Sequence, residues 1–254
     1  MSGNRAPVDA ELQVHTDGIL PTDVVEQIRV NLRAVLGPWA AAAVARVGRL
    51  RHPGSVRPVI AQLNLASPAG PVRAQIAART TADAAVLLAA RVHSQLRLIP
   101  NLRAHGHFRP VTPCRTWWPE LLRPPGDREL VRVKLCLPEE CTVDTAIRRL
   151  EAGDHEFHLF HEPVSDEDSV LQRVGPGSYR LLQLRPGKAI GSTSTATPVT
   201  VVHTRPLVLP LPRALTGRPF LFFADPSTRR GRLLYLRYDG DYALLSPALP
   251  ATDW

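Results

Sequence analysis

The sequence predicts an α+β fold in three parts. An N-terminal β-α-β-β-β-α domain, a four-stranded sheet with two helices on one face, precedes two small tandem β-rich domains of order β-α-β-β-β. Three observations carry this prediction. Two stretches alternate apolar and polar residues with period two, flanked by stretches of helical period. The segment 154–183 recurs at 217–246 without a gap. Two proline- or glycine-rich stretches separate the parts. The expected boundaries are 8–102 for the first domain, 103–126 for a Pro-rich linker, 127–185 for the first repeat, 186–198 for a second linker and 199–254 for the second repeat.

In the first domain, Glu11 to His15 reads as a short strand. Thr22 or Asp23 can N-cap a helix that carries Val24, Ile28, Leu32 and Val35 at helical spacing and ends at Gly37-Pro38. Ala43 to Arg51 reads as a strand whose facing the pattern leaves open. Val59, Ala61, Leu63 and Leu65 alternate with Ile60, Gln62 and Asn64; Val72, Ala74, Ile76 and Ala78 alternate with Arg73, Gln75, Ala77 and Arg79. Ser67-Pro68-Ala69-Gly70 is the hairpin turn between them. A second helix begins after Thr80 or Thr81, carries Ala85, Ala89, Val92, Leu96 and Ile99 on one side, and stops before Pro100.

The repeat supplies the other two domains. At a constant offset of 63, eight of thirty positions are identical: Phe157/Phe220, Phe160/Phe223, Pro163/Pro226, Leu171/Leu234, Gly177/Gly240, Tyr179/Tyr242, Leu181/Leu244 and Leu182/Leu245. Each copy reads as strand, turn, strand, Gly turn, strand. Each is preceded by a further strand (130–137 and 199–208) and a helix, full in the first copy over 142–150 and stunted in the second by Pro210 and Pro212.

Composition narrows the function classes. With 44% apolar and 21% charged residues the chain is globular in character. Its longest apolar run is too short to span a bilayer and Met1 to Arg5 begins no signal-peptide core, so the expected location is cytoplasmic, without membrane association. Three cysteines, an odd number, argue against a disulfide scaffold. The net charge is +8, and all basic residues but Lys134 and Lys188 are arginine. Residues 1–110 hold 13 Arg and 6 acids (net +7), residues 127–187 hold 8 basic and 12 acidic residues (net −4), and residues 205–254 hold 7 Arg and 4 acids (net +3). A basic N-terminal third is the footprint of a nucleic-acid module, a solubilising surface being the plainer alternative.

Arginine forks suit phosphate oxygens, and the candidate cations lie off the apolar stripes. Arg29 and Arg33 share a helix face, Arg91 and Arg97 flank the stripe of the second helix, Arg73 and Arg79 share the polar side of the last strand, and Arg49 and Arg51 share one side of the second. Beyond them, Arg103, His105, His107, Phe108, Arg109, Arg115, Trp117 and Trp118 interleave cations with aromatics, fit either to stack on RNA or to dock on a neighbouring domain. His155, His158 and His161 do not form a three-ligand metal site, because on a strand His158 points away from the other two. Cys114, Cys136 and Cys141 lack zinc spacing, and Asp239-Gly240-Asp241 is a hairpin turn. Gly-rich phosphate loops and nucleophile elbows are also lacking, so the expectation is a non-enzyme without cofactor or metal.

The stretch Thr216-Gly217-Arg218-Pro219-Phe220-Leu221-Phe222-Phe223, followed by Leu234-Tyr235-Leu236-Arg237-Tyr238-Asp239-Gly240-Asp241-Tyr242-Ala243-Leu244-Leu245, resembles the C-terminal domain of long-form ribosome hibernation promoting factors. Asp154 to Phe160 and Gly177 to Leu182 look like a more divergent copy, and the element order of residues 11–102 is similar to the family's ribosome-binding domain. The resemblance implies a factor that binds the 30S subunit of the 70S ribosome through 16S rRNA, fills the mRNA and tRNA sites and inhibits translation in dormancy or stress. The rRNA-binding set it implies is Arg29, Arg33, Arg49, Arg51, Arg73, Arg79, Arg91, Arg97 and Arg103, and the domain-pairing set is Phe157, Phe160, Tyr179, Phe220, Phe223, Tyr235 and Tyr242.

Typical members carry one C-terminal domain that pairs with its copy from another molecule and joins two ribosomes. Here two copies of opposite charge share one chain, so the expectation is a monomer that pairs them internally and forms no 100S dimers. Reciprocal pairing between two chains, giving a 100S-forming dimer, uses the same interface. A non-ribosomal protein- or ligand-binding module built on the repeats is the alternative from another class.

Overall fold

A computed structural model describes residues 12–18, 20–50, 57–97, 125–175, 177–185, 190–191, 199–203, 220–237 and 240–248. The chain divides into two compact units, residues 1–116 with 151–154, and residues 117–150 with 155–254. The expected linker at 103–126 lies outside the described residues up to 124, as do Arg51, Arg103, Trp117, Trp118 and the stunted helix around Pro210.

The first unit is the expected β-α-β-β-β-α domain: β1 (Gln13–Asp17), α1 (Thr22–Leu36), β2 (Ala43–Arg49), β3 (Val59–Ser67), β4 (Gly70–Ala78) and α2 (Thr81–Leu96). The strands lie in the order β1-β2-β3-β4, with β1 and β2 parallel and the other neighbours antiparallel. Alternation settles the facing of β2: Ala43, Ala45 and Val47 join Val59, Ala61, Leu63, Leu65, Val72, Ala74, Ile76 and Ala78 against the helices. Ile28, Leu32, Val35 and Leu36 of α1 and Ala84, Ala85, Leu88, Ala89, Val92 and Leu96 of α2 close that core. Thr80 caps α2, its hydroxyl accepting from the Asp83 N–H at 3.0 Å. The cap of α1 differs from expectation. Thr22 is its first helical residue, and the carbonyl of Pro21 receives the N–H groups of Val24 and Val25 at 3.1 and 3.2 Å. A φ fixed near the helical value suits proline to this entry.

The second unit contains β5 (Leu130–Cys136), β6 (Glu139–Glu140), α3 (Val143–Ala152, whose last two residues group with the first unit), β7 (Phe157–Glu162), β8 (Glu167–Gly175), β9 (Ser178–Gln183), β10 (Val199–His203), β11 (Phe220–Ala224), β12 (Gly231–Leu236) and β13 (Tyr242–Pro247). At the offset of 63, β7-β8-β9 and β11-β12-β13 are the same antiparallel three-stranded unit. Gly177 and Gly240 sit at equivalent turns with φ of 63° and 89°, a conformation glycine adopts without steric cost.

The leading strands correct the expectation that each repeat carries its own. The sheets run β10-β9-β8-β7-β6 and β11-β12-β13-β5. The first repeat's leading strand, β5, pairs in parallel with β13 of the second, and β10, leading the second, pairs in parallel with β9 of the first. Tyr242 stands opposite Leu130 and Tyr179 opposite Val199, so the exchange is reciprocal, with a register shift after Tyr242 that the β9–β10 ladder lacks. Both leading strands fill an edge beside a last strand. The two repeats offer equivalent edges, so geometry permits either partner, and a shared chain makes the exchange internal.

Candidate functional site

The first unit carries its arginines in three places. Arg49 ends β2 opposite Val59, which pairs in turn with Ala78, so Arg49, Arg57 and Arg79 gather at one end of three adjacent strands, all exposed. Both helices follow a strand of the same direction and return antiparallel to it, which brings exposed Arg33 and Arg97 to the opposite end, at the helix C-termini where cations are favoured. The open face of the sheet holds the third group. Residues His15, Arg46, Gln62 and Gln75 form one row across the four strands, beside Asn64 and Arg73. Arg46, exposed at the middle of β2, was not among the expected residues, because the facing of this alanine-rich strand could not be read.

Other expected arginines are engaged. Arg29 pairs with Glu26 at 2.5 Å. Arg73 donates to Gln75 and to Gln62 Oε1, the latter at 3.3 Å. Arg91 is buried and pairs with Asp154, a residue of the short segment that groups with this unit; Asp154 also accepts from the Gln75 N–H at 3.0 Å. Arg91 thus balances a buried carboxylate, whereas Arg46, Arg49, Arg79 and Arg97 are exposed.

The second unit divides the seven expected pairing aromatics by strand face. Phe157, Phe220 and Tyr235 lie where the repeats meet. The Phe157 ring is 5.2 Å from that of Phe220 and 5.2 Å from that of Tyr235, in a core that includes Leu159 and Val170 of the first repeat and Phe222 and Leu233 of the second. Phe160 and Tyr179 belong to the core under α3 with Ile147 and Leu150, and Phe223 and Tyr242 to the equivalent core of the second repeat with Leu234 and Leu244. Three positions along a strand reverse the face, so Phe157 and Phe160 cannot share one surface.

A charged contact adjoins this junction. Asp168, at the start of β8, is buried, and its carboxylate receives Arg230 Nε at 2.7 Å, Arg230 Nη2 at 2.9 Å and the Gly231 N–H at 2.8 Å. Burial works to raise the Asp168 carboxyl, but the bonds from Arg230 and Gly231 outweigh it and hold the group below the ordinary aspartate range. Acids cap the equivalent turns of both repeats. Glu162 accepts from the Ser165 N–H at 2.7 Å, and Asp225 from the Ser227 and Thr228 N–H groups at 2.8 and 2.9 Å.

The three histidines do not converge, but Glu139, Cys141 and His158 bring one ligand atom each within 4.8 Å of one another. Arg149 already holds the Glu139 carboxylate through two bonds of 3.0 and 3.1 Å. Burial, reinforced by the Glu139 charge, pushes the Cys141 thiol up to about 11, and burial lowers His158. A protonated thiol beside a guanidinium is poor company for a cation. Among the described residues no helix is long and apolar enough to cross a membrane.

A cationic sheet-and-helix domain followed by small β-rich domains that bury their faces against each other defines a class of two-part α+β proteins. Residues 126–181 match the family model described as sigma 54 modulation/S30EA ribosomal protein C terminus. The dormancy associated translation inhibitor of Mycobacterium tuberculosis, in strains CDC 1551 and H37Rv alike, is 32% identical over 252 residues, covering 93% of this chain and 88% of its own. The chain belongs to the long-form ribosome hibernation factors, a family of translation inhibitors.

Proposed function

We propose that this protein binds the 30S subunit of the 70S ribosome through its first unit, excludes mRNA and tRNA, and pairs its two repeats within one chain so that each molecule silences a single ribosome. The mechanism is steric. A compact domain whose exposed arginines engage rRNA phosphates occupies volume that mRNA and anticodon stems require, and no bond is made or broken. Arg46, Arg49, Arg79 and Arg97 are the cations offered to rRNA, with Arg29, Arg33 and Arg73 able to exchange their present partners for phosphate.

The observation that carries the single-ribosome reading is the reciprocal exchange of β5 and β10 inside one chain. An interface filled internally is not available to a second molecule, and tethering gives the internal partner an effective concentration of roughly millimolar order. Co-sedimentation of the full-length protein with 70S ribosomes across a salt series tests the RNA contact. Each phosphate neutralised should contribute about −0.7 to −0.9 to the slope of log affinity against log salt. A flat salt response, or no association at low salt, would overturn the ribosomal reading.

A further inference from the structure

The two repeats differ most in charge where they meet. Over the offset of 63, Asp166-Glu167-Asp168 of the first repeat stands at the positions of Arg229-Arg230-Gly231 of the second. Asp166 and Arg229 both adopt positive φ, 52° and 60°, so the turns match in backbone and differ in side chains. Asp168 and Gly231, which occupy equivalent positions, touch each other, as do Phe157 and Phe220, so both pairs lie at the axis relating the repeats. Whatever stands at these positions decides which copies can pair.

Resting on the reading that the repeats pair with each other, we infer that they form a matched, non-interchangeable couple in which Asp168 of the first repeat selects Arg230 and Gly231 of the second and each repeat rejects a copy of itself. Two first repeats would set Asp168 against Asp168, with Glu167, which Arg185 of its own repeat holds at 3.0 Å, where Arg230 now stands. The two Asp168 carboxylates, buried and deprived of Arg230, would repel each other and oppose association. Two second repeats would leave both Arg230 guanidiniums without the buried acid that now holds them.

Shape enforces the same choice. A Cβ added at Gly231 would come within 2.6 Å of Phe222 Cε2 and 2.8 Å of Asp168 Cβ, so only glycine fits beside this phenylalanine and this aspartate. The first repeat carries the opposite combination, Asp168 with the smaller Leu159 at the position of Phe222. Large against small and acid against base are both complementary only in the mixed pairing. The partner that fits either repeat is therefore the other one, from the same chain or, in a mispaired assembly, from a second chain.

Full-length variants with reversed charge test this. Arg230→Asp makes both junctions acidic, and Asp168→Arg makes both basic. Each variant alone should melt lower by an amount of order 10 °C, since Arg230→Asp leaves buried Asp168 without its cation and Asp168→Arg puts a cation against Arg230 in the buried acid's place. Asp168→Arg combined with Arg230→Asp in one chain should recover part of that loss. Co-refolding Arg230→Asp with Asp168→Arg should give a one-to-one complex of twice the monomer mass by light scattering, because each chain then holds the repeat the other lacks. Single variants that melt like wild type, or a mixture that behaves as the sum of its parts, would overturn the matching. A wild-type protein of dimer mass would instead overturn the internal pairing, while the loss and rescue among the variants would still read the matching.

Discussion

The rings of Phe157 and Phe220, equivalent residues of the two repeats, meet with centroids 5.2 Å apart and planes tilted by 53°. A residue that touches its own counterpart lies at the axis of a symmetric contact, the arrangement by which identical subunits dimerise. Here one chain supplies both halves. The junction also buries Val170 and Leu233, equivalent residues of β8 and β12, and draws in Tyr235 beside Phe157. Exchange of β5 and β10 adds backbone ladders on either side, so separating the repeats exposes an apolar core and breaks two strand pairings.

Phe220→Ala should destabilise the second unit by about 3 kcal/mol, and Phe157→Ala, at a half-buried ring, by somewhat less. Because the rings are in contact, the double variant should cost less than the sum of the two singles by about 1 kcal/mol. Urea unfolding of the full-length protein measures all three. Strict additivity would mean that the two rings do not meet.

Replacing Arg46, Arg49, Arg79 and Arg97 together by Ala should weaken ribosome binding without unfolding the domain, since all four are exposed. The salt slope should become shallower by about 0.7 to 0.9 for each arginine that engages a phosphate. Arg91→Ala should behave differently. It leaves Asp154 buried without its cation, and its first effect is a lower melting temperature.

Much of this arrangement was legible in the sequence. The alternation at 59–65 and 72–78 placed β3 and β4 and their shared core face, and the offset of 63 aligned the later strands β7-β8-β9 with β11-β12-β13. The exchange of leading strands was not legible. Parallel edge pairing uses backbone groups alone, and β5 and β10 carry no signal that names a partner. Arg46 was hidden by a strand with alanine or valine at successive positions, and Arg91 read as a surface cation because its acid lies in a distant segment. The opposed charges of Asp168 and Arg230 were visible only as net charge until the register brought them together.

Acid should loosen the paired repeats. Asp168, Asp225 and Glu162 are all held below their ordinary ranges, so each contributes stability that is fully present above its unfolded pKa and is lost as pH falls through the folded value. Unfolding free energy should hold steady from neutral pH downward and begin to fall near about pH 4 to 5, where unfolded carboxylates take up protons. Asp168→Asn should lower stability at neutral pH and make the acid limb shallower. An unchanged acid limb in that variant would contradict the assignment.

The thiols should be sluggish. Cys141 is buried and raised to about 11, and burial also raises Cys136. Alkylation by iodoacetamide at pH 7.5, read peptide by peptide, should leave both far less modified in the folded protein than in urea, because the thiolate is the reacting form. Equal rates in the two states would contradict the burial of Cys141 and the partial burial of Cys136.

The central claim, that one chain pairs its own repeats and silences one ribosome, is tested most directly by sucrose-gradient sedimentation of 70S ribosomes with a stoichiometric amount of the full-length protein. The predicted result is protein migrating with the single 70S peak and no faster species. A peak of paired ribosomes that forms with the full-length chain and vanishes when residues 199–254 are deleted would contradict it.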